Sequence, residues 1–255
     1  MAKKASRRQP KIKQPRRKKL WLFLFIGILL VGGIYCVLSL PIWEIKQVVV
    51  NGAKMLSADE IRAMAGVPLS DNLFFSDLRH ARDNLKKITA IKSFRFYRLP
   101  PSTILISLKE RRPMATIVLE QKSVLIDDEG VILNRSENLS LNVPNLVELP
   151  VISGVDKKAV IGSERLDQEM VEVVSNIILK LAEFGQSSRI QIELGKMKDV
   201  SFLVDDLLRV KLGDTSRIKL KMEIFESLLP VVAGRWVNVD YVDIRYPDNP
   251  VIKYK

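Results

Sequence analysis

Apolar and polar residues follow three different rhythms along this chain. From position 20 to position 40 there are twenty-one residues without a charge. At about 1.5 Å of rise per residue, such a run matches a hydrocarbon core of roughly 30 Å. In lipid each backbone group must bond within the run, so it is predicted to be a transmembrane helix, stopped by Pro41 and followed by the interfacial Trp43. Residues 43–53 are β-rich and end in an Asn51-Gly52 turn. Ser57 to Glu60 has the form of a capping box ahead of Ile61, Met64 and Ala65, with Gly66 as the stop. A second helix is predicted from about Ser76 to Lys87, with Leu78, Ala81, Leu85 and Ile88 on one stripe. Residues 91–98 and 102–110 read as two strands joined through Leu99-Pro100-Pro101.

Beyond Met114 the rhythm is mostly that of strands: 115–119, 123–127 and 131–133, the last two separated by an Asp128-Glu129-Gly130 turn. A helix over about 167–183 carries Met170, Val173, Val174, Ile177, Ile178 and Leu181 on a broad face. Strands at 190–194, 200–204 and 207–212 precede a helix opened by Thr215-Ser216 and carrying Ile218, Met222, Phe225 and Leu229. Strands at 237–246 and 251–254 close the sequence. In the first of these the alternation slips between Tyr241 and Val242, which predicts a β-bulge there. The predicted class is α+β: a membrane helix, then a β-α-α-β-β unit, then a mixed β-sheet domain with two amphipathic helices. The expected divisions are 1–19, 20–40, 43–112 and 113–255.

Charge sharpens the first of these divisions. The chain of 255 residues carries a formal +12, yet residues 1–19 hold ten Lys/Arg and no acid, and the remaining 236 hold 31 basic against 29 acidic residues. The basicity belongs to a tail beside the apolar run, where it fixes topology and meets anionic lipid, and not to a nucleic-acid-binding face. By the positive-inside rule the tail is cytoplasmic and residues 44–255 lie across the membrane, a single-pass type II arrangement. A cleaved signal peptide is the competing reading, but the run is long for one and Ser39-Leu40-Pro41 is a poor cleavage site. One cysteine and one histidine exclude intramolecular disulfides and zinc fingers. Cys36, within the span, reads as a small apolar residue.

Candidate chemistry dissolves on inspection of its surroundings. Ser216-x-x-Lys219 has the S-x-x-K form of penicillin-interacting enzymes but lacks the companion motifs, and it reads equally as a capped helix start. His80 falls on the polar side of its helix. Asp127-Asp128-Glu129 lacks calcium-loop spacing and reads, like Asp205-Asp206, as a solvated turn. No catalytic, cofactor-binding or metal-binding residue is expected, and no small-molecule substrate.

Several pieces, in order, resemble the POTRA domain of the FtsQ/DivIB family of cell-division proteins: Val50-Asn51-Gly52, Ser57 through Ile61, Asn72-Leu73-Phe74 with Asp77, Arg98-Leu99-Pro100, and residues 106–113. Leu149-Pro150 and residues 241–246 resemble elements of the family's second, β-rich domain. The resemblance implies a non-enzymatic scaffold in the cytoplasmic membrane at the division septum, linking early and late division proteins. The POTRA domain would serve recruitment, and the end of the β domain would hold the FtsB and FtsL pair by strand addition. Carried over residue by residue, the partner contacts fall on Arg245, Tyr246, Ile252 and Tyr254, with Arg245 expected to pair a partner carboxylate. This sequence departs from the family in stopping at Lys255 and in placing Pro247 and Pro250 around Asp248-Asn249, which shortens the strand expected to pair; Lys253 and Lys255 are expected to guard it. The alternative, a POTRA-containing component of outer-membrane protein assembly or secretion, would need a long run of barrel strands.

Overall fold

The computed structural model describes residues 17–119, 122–133, 141–143, 149–160, 162–183, 189–232 and 236–255. The apolar run satisfies its own backbone as helix α1 (Arg17–Leu38). Within it Leu20–Leu38 has a mean hydropathy of 2.5 and is long and apolar enough to cross a membrane. The chain turns through a 3-10 segment at Pro41–Trp43 and enters a three-stranded sheet.

The predicted β-α-α-β-β order is present: β1 (Gln47–Asn51), α2 (Ala58–Ala65), α3 (Arg79–Lys86), β2 (Ile91–Leu99) and β3 (Thr103–Glu110). The spatial order is β1-β3-β2, with β1 parallel and β2 antiparallel to β3. Ile61, Ala65, Ala81 and Leu85 from the helices bury against Val48, Ile104, Ile106 and Leu108 of the sheet. Gly52 closes β1 at φ +93°, where a Cβ would lie 2.0 Å from the Leu108 carbonyl oxygen, so only glycine fits the Asn51-Gly52 turn.

Two local expectations fail here. Ser57 is the N-cap of α2, but its hydroxyl makes no capping bond, and Glu60 Oε2 is buried with no partner among the described residues. The loop into the helix is held from elsewhere: the Glu110 carboxylate accepts the backbone N–H groups of Lys54, Met55 and Leu56 at 3.0, 2.8 and 3.0 Å. One charged acceptor thus holds three donors just ahead of the N-cap. The second helix starts at Arg79, three residues later than the periodicity suggests. Asn72 Oδ1 draws the chain into a turn through Phe74 N–H and Phe75 N–H, Asp77 accepts Arg79 N–H, and the Ser76 carbonyl is taken by Arg98.

The second sheet has eight strands in the order β11-β10-β9-β8-β7-β6-β4-β5. Its elements are β4 (Pro113–Leu119), β5 (Lys122–Asp127), β6 (Val151–Ser153), α4 (Lys157–Val160), α5 (Gln168–Glu183), β7 (Ile190–Glu193), β8 (Val200–Val204), β9 (Leu208–Gly213), α6 (Ile218–Val232), β10 (Val239–Asp243) and β11 (Val251–Tyr254). Val173, Val174, Ile177 and Leu181 of α5 and Met222, Phe225 and Leu229 of α6 bury on the sheet; Phe225 meets Phe202 edge-on at 5.3 Å. Helix α6 begins at Ile218 and not at Thr215-Ser216, because Arg217 takes a positive φ of 53°. The buried ammonium of Lys221 closes that turn on the Asp214 carbonyl and carboxylate at 2.8 and 2.6 Å.

The two sheets meet through the β5 hairpin. Leu125, Val131 and Leu133 belong to the same core as the first sheet. Asp127 is only 1% exposed, which corrects the expectation of a solvated turn: it accepts Arg111 Nη1 at 2.6 Å and the N–H groups of Glu129 and Val131. Glu129 in turn accepts Arg111 at 2.9 Å and Lys92 at 2.7 Å, and these hydrogen bonds hold its carboxyl down to about 2. The Asp205-Asp206 turn is likewise tied down, by Arg189 and Gln191.

Glu110→Ala should lower the unfolding free energy by about 2–3 kcal/mol, since three N–H groups lose a charged acceptor. Urea denaturation of the full chain in detergent micelles checks this, and a loss within about 0.5 kcal/mol would contradict it. Glu129 also makes a pH prediction. Its folded pKa lies below the ordinary 4.5, so its stabilisation is present above pH 4.5 and lost as pH falls toward about 2. Glu129→Gln should flatten the fall in melting temperature across that window.

Candidate partner-binding edge

The last two strands form the margin of the large sheet. Strand β10 lies parallel to β9 and antiparallel to β11, with Tyr241 opposite Lys253, Val242 opposite Ile252 and Asp243 opposite Val251. The register shifts between Val239 and Tyr241, so the irregularity sits one step earlier than the alternation suggests, at Asp240. The slip is legible in the burial: Val239, Val242 and Ile244 are buried, while Asp240 is exposed.

Among the described residues, strand β11 is paired on one side only. Lys255 N–H donates to the Asn238 carbonyl at 3.0 Å, so the backbone groups of Lys255 and, by alternation, Lys253 face β10. Those of Ile252 and Tyr254 face the open side. The Ile252 side chain turns inward, half-buried against the core opposite Val242, and Tyr254 is 46% exposed. On the outward face a charged row crosses the strands. Lys253 Nζ lies 2.9 Å from Asp240 and 5.3 Å from the centre of the Tyr241 ring, over which Lys211 also sits at 3.9 Å. The hydrogen bond from Lys253 holds the Asp240 carboxyl below the usual carboxylate range. Lys253 therefore serves the sheet's own cross-strand pairing.

Arg245 and Tyr246 lie at the start of the β10–β11 connection, which turns with Asn249 N–H on the Tyr246 carbonyl at 3.0 Å. Tyr246 is 74% exposed. Arg245 is already engaged: its Nε and Nη2 donate to both oxygens of Asp243 at 2.6–3.0 Å, pulling that carboxyl below its ordinary range. Its stem lies over Gly213, where an added Cβ would come within 2.9 Å of it. The guanidinium thus closes on Asp243 of β10 while the stem covers Gly213 of β9. The four expected contact residues do not form one cluster. Arg245 and Tyr246 occupy the loop end, and Tyr254 the other end of a strand about 10 Å long.

The remaining candidates are placed apart from this edge. Ser216 donates to Asp214 at 2.6 Å while Lys219 pairs with Glu172 at 3.5 Å, so the S-x-x-K residues are not brought together. His80 is exposed on α3. Among the described residues no group of three His, Cys, Asp or Glu side chains gathers to hold a metal.

Comparison with known proteins accounts for most of the chain. A family model for the FtsQ-type POTRA domain matches residues 44–111, and one for the C-terminal region of cell division protein FtsQ/DivIB matches residues 115–245. The chain belongs to the FtsQ/DivIB family. Among its FtsQ/DivIB relatives, a cell division protein FtsQ of Koribacter versatilis is 22% identical over 254 residues, spanning 95% of this chain and 72% of the relative. A cell division protein DivIB of Clostridium acetobutylicum is 25% identical over 216 residues, 84% of either chain. A cell division protein FtsQ of Streptomyces bingchenggensis is 25% identical over 256 residues, 98% of this chain and 91% of the relative. The FtsQ/DivIB match ends at Arg245, so Tyr246 and all of β11 lie beyond it.

Proposed function

We propose that the chain is a non-enzymatic, single-pass scaffold of the division machinery, linking early and late division proteins and holding the FtsB and FtsL pair at the open side of β11. The observation that carries this reading is the one-sided pairing of the last strand. An added strand would take the N–H and C=O groups of Ile252 and Tyr254 for affinity, and exposed side chains of the edge for specificity. Tyr246 and Tyr254 bracket that strand as aromatic anchors. Arg245 acts indirectly, by bracing β10 through Asp243. In this reading the basic tail is cytoplasmic, the span covers 20–40, and the units 43–112 and 113–255 lie on the far side of the membrane, concentrated at the septum.

Proline distinguishes the backbone from the side chain. Proline is tolerated on an edge strand where the missing N–H faces outward. Tyr254→Ala should weaken capture of the FtsB and FtsL pair by about 1–3 kcal/mol, and Tyr254→Pro should weaken it further by about 1 kcal/mol while leaving the fold intact. A chain ending at Asn249 should lose capture. Undiminished binding by Tyr254→Pro, with native circular dichroism, would move the interface elsewhere.

A further inference from the structure

Between α1 and the first sheet the chain has no slack. The Val37 carbonyl accepts Trp43 Nε1 at 2.7 Å, and the Leu38 carbonyl accepts Asn72 Nδ2 at 2.7 Å. Both carbonyls belong to the last turn of the helix; the Val37 carbonyl also takes Leu40 N–H at 3.4 Å, and side chains of the folded unit beyond close on both. Two ring contacts reinforce the junction: Trp43 meets Phe74 at 5.2 Å and Tyr35 meets Phe75 at 5.6 Å. Residues 72–75 are therefore fastened to the last turn of α1.

Next to that junction lies a cluster of large apolar side chains that the fold leaves uncovered. Leu69 is 59% exposed and Phe75 53%, and Leu40 and Ile42 are also exposed. Grouped apolar exposure of this kind marks a contact surface. Its depth identifies the contact. The span Leu20–Leu38 has 19 residues, about 28 Å of helix, and a hydrocarbon core of about 30 Å uses all of it. Leu38 then sits at the edge of the core, and Tyr35, three residues earlier, lies about 4–5 Å inside it. Phe75, its ring centre 5.6 Å from that of Tyr35 and tilted to it, lies next to that level.

We infer that Leu69 and Phe75, with Leu40 and Ile42, form a foot that rests in the lipid between headgroups and acyl chains, holding the first domain to the bilayer in a fixed orientation. The inference rests on α1 crossing the membrane. Trp43, its indole N–H already bonded to the helix end, stands at the same boundary, where amphipathic aromatics are favoured. Phe75 and Leu69 supply apolar surface of the kind that anchors interfacial segments. The consequence is a domain whose swing is restricted, so that the start of the second sheet is carried at a set height above the membrane.

Cys36 is the only cysteine, so a Cys36→Ser chain accepts one environment-sensitive fluorophore at a time. Labels at Leu69→Cys and Phe75→Cys test the foot, Leu30→Cys the mid-span, and Lys54→Cys the far end of β1. The full chain is reconstituted in vesicles of phosphatidylcholine and phosphatidylglycerol, with and without a phosphatidylcholine carrying a nitroxide near the glycerol end of its acyl chain. The foot labels should be blue-shifted and quenched by roughly two-fold or more, with Lys54 unaffected. Unquenched labels at both Leu69 and Phe75 while Leu30 is blue-shifted as membrane-buried would overturn the foot and leave the span standing. A water-exposed Leu30 label would overturn both, and quenching at Lys54 equal to that at Phe75 would overturn the fixed orientation.

Discussion

A β-sheet that does not close into a barrel has two margins, and each margin strand has half of its backbone groups without a sheet partner. How the eight-stranded sheet treats its two ends explains much of the rest of the molecule. At one end the chain folds back on itself: Leu133 N–H donates to the Leu125 carbonyl and Asp127 N–H to the Val131 carbonyl, so residues 131–133 cover the second side of β5. Those covering residues are buried in the core of the first sheet. Closing that end and joining the two sheets are thus a single event. At the other end, no strand among the described residues covers β11.

Charge is distributed to match. Glu110 and Arg111 are adjacent in sequence and hold opposite sides of the junction. Glu110 reaches back to the N–H groups of residues 54–56, and Arg111 reaches forward to Asp127 and Glu129. A buried carboxylate without its guanidinium would be strongly unfavourable, so the junction has one satisfied arrangement. At the open margin the charges are spent within the sheet: Lys253 on Asp240 and Arg245 on Asp243. The outward face is braced, and the outer backbone edge of β11 has no strand beside it among the described residues.

The fold was legible in the sequence wherever the apolar period was long. The span, the two amphipathic helices of the second domain and the β-α-α-β-β order all follow from periodicity, and the slip of register near Tyr241 announced an irregularity one residue from where it lies. What escaped were features set by distant residues. The Ser57 box looked complete locally, but no capping bond forms, and the loop ahead of it is held by Glu110, more than fifty positions away. Asp127 read as solvated because its partner, Arg111, is brought to it by the junction. Strand β6, only three residues long, is too short to show a period. At the candidate edge Tyr246, Ile252 and Tyr254 rest on resemblance alone, and the pairing of Arg245 with Asp243, two residues before it, was not read from the sequence.

The central claim is that the outer side of β11 stands open until a partner strand fills it, and residue-resolved amide hydrogen exchange tests it most directly. In the chain alone the Ile252 and Tyr254 amides should exchange near unstructured rates, while those of Lys253 and Lys255, turned toward β10, exchange slowly. Addition of the FtsB and FtsL pair should slow Ile252 and Tyr254 selectively. Protection of those two amides before any partner is present, or no change when the pair binds, would contradict the account.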